Sequence, residues 1–396
     1  MSTPTTGSRT EASPTPPPED RPEEQTKHVP SGQGGLLRQV ASSPAVVGLL
    51  AVLTALILSS ILILAADSEV RYTATYLLNR PGDFLHATAS TLSEAYSSLL
   101  RGAVFDWRAT TGVRMIRPIT DTLTNATPLI IAGLGMAVAF RAGLFNIGGQ
   151  GQMILGAITA CYVGIAWNLP PVAHLLLAVV GAALGGLVWG GIAGVLKART
   201  GANEVIVTIM LNSIAAHLLS QVLSLKAFNG EGETGNRKSL TVADTAQYPW
   251  LAGDSFRLHA GFLLALLVAV AVWWLMERSR LGFQLRATGL NADAARTAGM
   301  SVPWVTSLVM MISGALCGLA ATAPVLGTQK SMDESVVGTI GFDAITVALL
   351  GRSRPLGTVL AGLLFGALRA GGTAMQAAPG THIKIVLVLQ STIVLF

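Results

Sequence analysis

Charge is scarce in this chain. Only 12% of its 396 residues are Asp, Glu, Lys or Arg and 51% are hydrophobic, where an ordinary soluble domain carries roughly a quarter charged residues. That balance excludes a water-soluble globular fold. Cysteine is scarcer still: Cys161 and Cys317 both stand inside apolar segments, where they read as small packing residues and imply no disulfide framework. Neither a G-x-x-x-x-G-K-[ST] phosphate loop nor an H-E-x-x-H zinc pair occurs, and the six histidines are scattered, which leaves no Ser-His-Asp arrangement to argue for. No catalytic residue and no metal ligand is therefore nominated, and catalysis by this chain alone is not expected. Acidic residues are missing from the middles of the apolar stretches, with Glu204 and Asp343 close to the ends of theirs. Ion-driven carriers keep such carboxylates at depth as relays, so the driving force is expected to come from outside the chain.

What the chain has in excess is glycine, 43 residues of it, together with long apolar blocks. Helices in lipid associate by close backbone packing and tolerate glycine better than soluble helices do. The sequence reads as an all-α polytopic membrane protein with about ten spans. They fall near 44–66, 119–140, 148–167, 171–196, 204–224, 260–276, 304–325, 338–351, 356–377 and 383–396. The third, fifth and eighth begin in polar or Gly-rich sequence and are candidates for broken helices, which are tolerated where they line a cavity or lie buried in protein. Residues 1–43, rich in Ser, Thr, Pro and Glu, form a cytoplasmic tail that cannot bury enough apolar surface to order itself.

Arginine and lysine in the short loops set the orientation. Arg141, then Lys197 and Arg199, then Arg278, Arg280, Arg286 and Arg296, then Arg352 and Arg354 all fall on the same side of the span pattern as the tail. The reading is N-in and C-in. Residues 67–118 are then an outer loop despite their arginines, since long segments translocate largely regardless of charge. The net charge of +5 belongs to this orientation pattern and does not indicate nucleic-acid binding. Glycines four apart, Gly181 with Gly185, Gly186 with Gly190 and Gly194, Gly314 with Gly318, and Gly362 with Gly366, each mark one helix face suited to close packing or to sliding.

Between the arginines of the inner segment 277–303, Asn291 can cap a short helix, Asp293 sits in its first turn, and Gly299 with Pro303 suits its end. On physical grounds this is either a solvated loop or a docking element. Residues 281–303 also resemble the ATPase-contact loop of the ABC importer permeases for branched-chain amino acids, simple sugars and nucleosides. The family pattern is met by Gly282, Arg286, Ala287, Gly289, Asn291, Ala294, Ala295, Ala298 and Gly299. PLIIAGLGMAVAFRAGLFNIGGQGQMILGA, Pro128 to Ala157, is similar to the nucleoside and simple-sugar branch. NEVIVTIMLNSIA, Asn203 to Ala215, and ALLGRSRPLGTVLAGLLFGAL, Ala348 to Leu368, extend the likeness over most of 95–396. One departure stands out: the branch usually has Glu before Gly-Gln, and this chain has Gln150.

The resemblance implies a permease subunit of a binding-protein-dependent ABC importer in the bacterial cytoplasmic membrane, working by alternating access. Its implied partners are ABC ATPase subunits that hold ATP and Mg, a second permease, an extracytoplasmic binding protein and membrane lipid, with no nucleic acid and no cofactor in this chain. Arg286, Gly289, Asn291, Ala294, Ala295 and Gly299 are then the coupling residues. Asn146, Gln150, Gln152 and Asn212 are uncharged polar groups in or beside apolar spans. They suit a solute path for a nucleoside or sugar, or else they hold the freed backbone of a broken helix. The rival function is an ion-coupled secondary transporter of similar solutes.

Overall fold

The computed structural model describes residues 44–229 and 237–377, with side chains at 44–52 and 377 left aside. The N-terminal tail and the tenth expected span, 383–396, lie outside the described residues. Among those described there are helices and isolated bridges but no strand.

Apolar blocks become helices: α1 Pro44–Ala66, α4 Gly112–Arg141, α5 Gly149–Ala166, α6 Pro171–Thr200, α7 Glu204–Leu223, α8 Gly261–Arg278, α11 Val302–Ala320, α12 Ile340–Leu350 and α13 Pro355–Ala377. Between α1 and α4 stand α2 Ser68–Ala74 and α3 Pro81–Ala103, and between α8 and α11 stand α9 Arg280–Leu290 and α10 Ala292–Thr297. Six of these helices are long and apolar enough to cross a membrane. The protein is an all-α, multi-pass membrane protein. The segment 67–118, expected as a loop, thus contains two helices and the first turns of α4. Asp67 caps α2, its Oδ1 accepting from the amides of Glu69 and Val70 at 2.9 Å. Helix α3 starts on Pro81 and buries a narrow face of Ala87, Ala95, Ser98 and Ala103. Small residues give that face little apolar weight, so it carries no span signal, yet they let α3 lie against α13 with Gly102 beside Ala374 and Gly371 beside Leu99.

Helix α4 is the centre of the bundle: 83% of its most apolar stretch is buried, against 28% for α7 and for α8, whose outer faces have no protein neighbour among the described residues. The tightest crossing is between α6 and α11. Gly186, Gly190 and Gly194 on α6 lie against Gly314, Gly318 and Met310 on α11, backbone to backbone. Glycines 362 and 366 of α13 seat on Ile130 and Ala126 of α4 in the same way.

Two three-helix units run in opposite directions. In α4–α5–α6 and again in α11–α12–α13, a long helix is followed by a short one and then another long one. Helix α4 ends where α11 begins, at the end of the bundle that holds the loops bearing Arg199, Arg280, Arg296, Arg352 and Arg354. There Arg141 donates from Nε to the carbonyl of Ser353 at 3.1 Å and lies 3.9 Å from Glu277, and Lys197 pairs with Glu204 at 2.6 Å. At the opposite end residues 237–260 form a strip over α5 and α11, tied by Val242 N to Lys330 O at 2.8 Å, Ala243 N to Gly164 O at 2.9 Å and Tyr248 N to Leu326 O at 3.0 Å. The loops grouped by charge bias do share one end of the molecule.

Candidate functional site: two helix starts that meet inside the bundle

Helices α5 and α12 both begin within the bundle, and their N-termini meet. After α4 the chain turns at Gly143, whose φ of +72° is a left-handed value that glycine adopts without strain. It then runs back between neighbouring helices to Gly148 before α5 starts. Backbone groups freed by such a break must be satisfied by protein. Asn146 and Asn212 do so, and Gln152 holds Asn146 in place. Asn146 Oδ1 accepts from Gly148 N at 2.8 Å, while its Nδ2 donates to Gln152 Oε1 at 3.0 Å and Ser313 Oγ at 2.8 Å. Asn212 Oδ1 accepts from Gly151 N at 2.8 Å, and its Nδ2 donates to Ile147 O at 2.9 Å. All three are buried. An unpaired buried amide costs about 1–3 kcal/mol, which is the price this network removes at the start of α5.

Gln150 is placed differently. It is only partly buried, and its amide bridges the two helix starts: Nε2 donates to Gly338 O at 2.7 Å and Oε1 accepts from Gly341 N at 3.2 Å. The backbones themselves touch here, since a Cβ on Gly341 would stand 2.5 Å from Gln150 Cα. An ionised carboxylate at position 150 accepts from Gly341 but cannot donate to Gly338. The Gln150 amide therefore makes a contact at this seam that a charged glutamate could not.

Asp343 stands near the end of its span in the sequence, but α12 starts inside the bundle, so its first turn is at depth. Asp343 pairs with Arg369 of α13, and Arg369 Nη2 also donates to Thr339 Oγ1 at 2.9 Å. An interior carboxylate is present after all, already neutralised by a fixed cation. Arg369 itself carried a signal, a lone arginine well inside an apolar helix. Side chains on a helix lean toward its N-terminus, which directs Arg369 toward Asp343.

Between the seam and the end bearing the 237–260 strip lies a cavity of about 230 Å³, lined by α4, the chain after α11 and Arg369. Pro128 in α4 and Pro324 just after α11 face it, and each removes a helix hydrogen bond. Residues Ala323–Thr328 form a π turn, a distortion frequent at functional sites.

At the arginine-rich end, α10 is built as its residues predict. Asn291 Oδ1 accepts from the amides of Asp293 and Ala294 at 3.0 Å, and Gly299, with φ of +81°, closes the helix. Ala294 is exposed but Ala295 is 4% exposed. Gly289 packs on the turn after α4, where a Cβ would stand 2.5 Å from Arg141 O. Arg286 is partly buried and its Nη1 has no hydrogen-bond partner among the described residues. Two exposed apolar side chains that motif reading overlooks flank the capped helix: Leu290 is 89% exposed and Phe283 58%. Phe283, Arg280 and Met300 share a groove of about 520 Å³ beside α10.

Residues 119–396 match the family model of the permease component of branched-chain amino acid transport systems. The chain belongs to that family. It is 41% identical over 281 residues to the guanosine ABC transporter permease protein NupP of Bacillus subtilis, covering 70% of this chain and 80% of that one. It is 38% identical over 288 residues to the glucose ABC transporter permease protein TsgB13 of Haloferax volcanii, covering 70% and 75%. With the nucleoside ABC transporter permease protein NupB of Lactococcus lactis it shares 33% over 287 residues, covering 71% and 79%. The chain is thus the membrane permease subunit of an ABC transport system.

Proposed function

We propose that this permease imports an uncharged, hydroxyl-bearing solute of nucleoside or simple-sugar type across the cytoplasmic membrane. The observation that carries the reading is the seam itself. Two oppositely directed helix starts meet inside the bundle and are bridged by a neutral amide, Gln150, beside a polar cavity. Discontinuous helices of this kind place substrate sites near mid-membrane in other transporters. The guanosine, nucleoside and glucose permeases named above favour the same solute class. Asn146, Gln152 and Asn212 belong to the path as the groups that hold its wall, with Gln150 the one that faces the moving solute.

Energy comes from a separate ATPase pair that holds ATP and Mg and docks on α10 with Leu290 and Phe283. A second permease completes the pathway, and an extracytoplasmic binding protein delivers the solute. The arginine-bearing end faces the cytoplasm. Single cysteines at Thr297 and Asp254, both exposed, should react with an impermeant thiol reagent from opposite sides of the membrane, and labelling from one side would sink this orientation.

The functional test is uptake of guanosine, uridine and D-glucose by the assembled transporter in ATP-loaded vesicles. Gln150→Ala should lower uptake about tenfold, the scale of a lost polar contact of about 1.4 kcal/mol, with abundance and ATPase association unchanged. Uptake driven by an ion gradient without the ATPase would restore the secondary-transporter reading. Unchanged uptake in Gln150→Ala would remove Gln150 from the path.

A further inference from the structure

We propose that the cavity above the seam is a solute-binding site, in which Arg369, its charge cancelled by Asp343, reads the hydroxyl and carbonyl groups of a neutral solute. This deepens the transport reading and rests on it. Asn125, Pro128, Pro324, Gln329, Gly338 and Arg369 line the space, so α4, the π turn, the entry to α12 and α13 all contribute. Irregular backbone from three of these elements converges on one spot. Within a membrane bundle such backbone persists where it borders a cavity or a buried protein contact.

Its polar atoms are left with capacity to spare. Asn125 Nδ2 donates to Asp121 O at 2.9 Å, and its Oδ1 has no hydrogen bond among the described residues. The Gln329 side chain has none either. Among the described residues Arg369 engages only Nη2, toward Thr339 and Asp343, which leaves its Nε and Nη1 donors unspent there. Donors and acceptors therefore face one space together, as a molecule with both hydroxyl and carbonyl groups requires.

Charge then selects among such molecules. Arg369 and Asp343 are 24% and 22% exposed in their side chains, and together they present no net charge. Removing either would leave an uncompensated ion inside the bundle. A plain structural clamp between α12 and α13 would also explain the pair, but not the unspent donors and amides around the cavity. The floor of the site is Gly338, whose carbonyl accepts from Gln150, so a bound solute sits directly over the seam that must part for it to pass.

The test uses the assembled transporter with single cysteines at Thr328 or Ser335, which line the cavity without being assigned a solute contact. Cys161 and Cys317 are buried and serve as an unreactive background. Guanosine, uridine or glucose at ten times its dissociation constant should slow maleimide labelling at both positions about tenfold, while guanosine 5′-monophosphate should give no protection. Asp343→Asn and Arg369→Gln should each lower neutral-solute uptake by more than about tenfold, and the double variant, uncharged again, should regain membrane abundance but not uptake, because the Arg369 donors are gone. If a transported probe protects neither cysteine, the site is wrong and the transport reading stands. If the native transporter moves none of the probes, the transport reading falls and the solute class assigned here falls with it. Full uptake by Asp343→Asn would overturn the charge-cancelling role. Because the protection assay keeps both charged residues, it decides the matter even where the charge variants fail to accumulate.

Discussion

Gly186→Ala is expected to cost this permease most of its folded population, although alanine is the better helix former. Alanine in a helix interior normally gains roughly 0.5–1 kcal/mol over glycine. At position 186 the added methyl would stand 2.1 Å from Gly314 O and 2.7 Å from Gly318 Cα. These are backbone atoms, so no rotamer change relieves the clash and the helices must separate. Glycine 314 stands in the reciprocal relation, 2.3 Å from Gly186 O, and Gly318 would meet Ala182 O at 2.2 Å. Overpacking a well-filled contact costs about 1–3 kcal/mol even where side chains can adjust, which already outweighs the helical gain. Gly181→Ala is the control: its nearest neighbour is Val163 Cγ2 at 3.4 Å, an ordinary contact, so that variant should be neutral or slightly stabilised. Membrane abundance and thermal unfolding in mild detergent give the answer. Equal behaviour of the two variants would mean that α6 and α11 do not cross as closely as their glycines indicate.

The glycine faces show what pattern alone can reach. Four-residue spacing identifies the stripes on α6, α11 and α13, because spacing is a local property of a helix, but it does not say which stripe meets which. Apolar length likewise finds α4, α6, α7, α8 and α13, and cap chemistry finds α10 from Asn291 to Gly299. Three features escape for physical reasons. Helix α3 presents a face of alanine and serine whose packing value lies in its smallness, which hydropathy counts as weakness. The polar, Gly-rich starts of α5 and α12 do mark them as candidates for broken helices, but not how deep they begin, so a residue's distance from the end of its span is no measure of its depth, and Asp343 is misplaced by that rule. The four amides at 146, 150, 152 and 212 look alike in the sequence. Only the fold separates Asn146 and Asn212, which close a chain break, and Gln152, which holds Asn146, from Gln150, which spans the seam.

Ala294→Trp should abolish ATPase capture while leaving the permease itself intact. Neighbouring alanines of α10 are not equivalent: Ala295 is buried against the permease, with its carbonyl accepting from Met300 N at 3.0 Å, whereas Ala294 faces outward. A bulky residue at 295 would damage the permease's own packing and say little about a partner. At 294 it would meet only whatever docks there. If α10 seats in a groove of an ATPase, as small exposed residues beside Leu290 and Phe283 suggest, a tryptophan at that depth should cost about 2 kcal/mol or more of binding. ATPase co-purification would then fall about thirtyfold, with permease abundance unchanged. The contact at Gly289 separates docking from transmission. A Cβ there would press on Arg141 O at 2.5 Å and Ala142 C at 2.7 Å, the turn from which the chain runs through Asn146 to Gln150. Gly289→Ala should therefore retain the ATPase yet lose uptake if α9 movement reaches the seam through this turn, since the added methyl displaces it. Normal ATPase capture and stimulation by Ala294→Trp would remove α10 from the coupling role. Normal uptake by Gly289→Ala would leave α10 as a docking element whose movement reaches the seam by some other route.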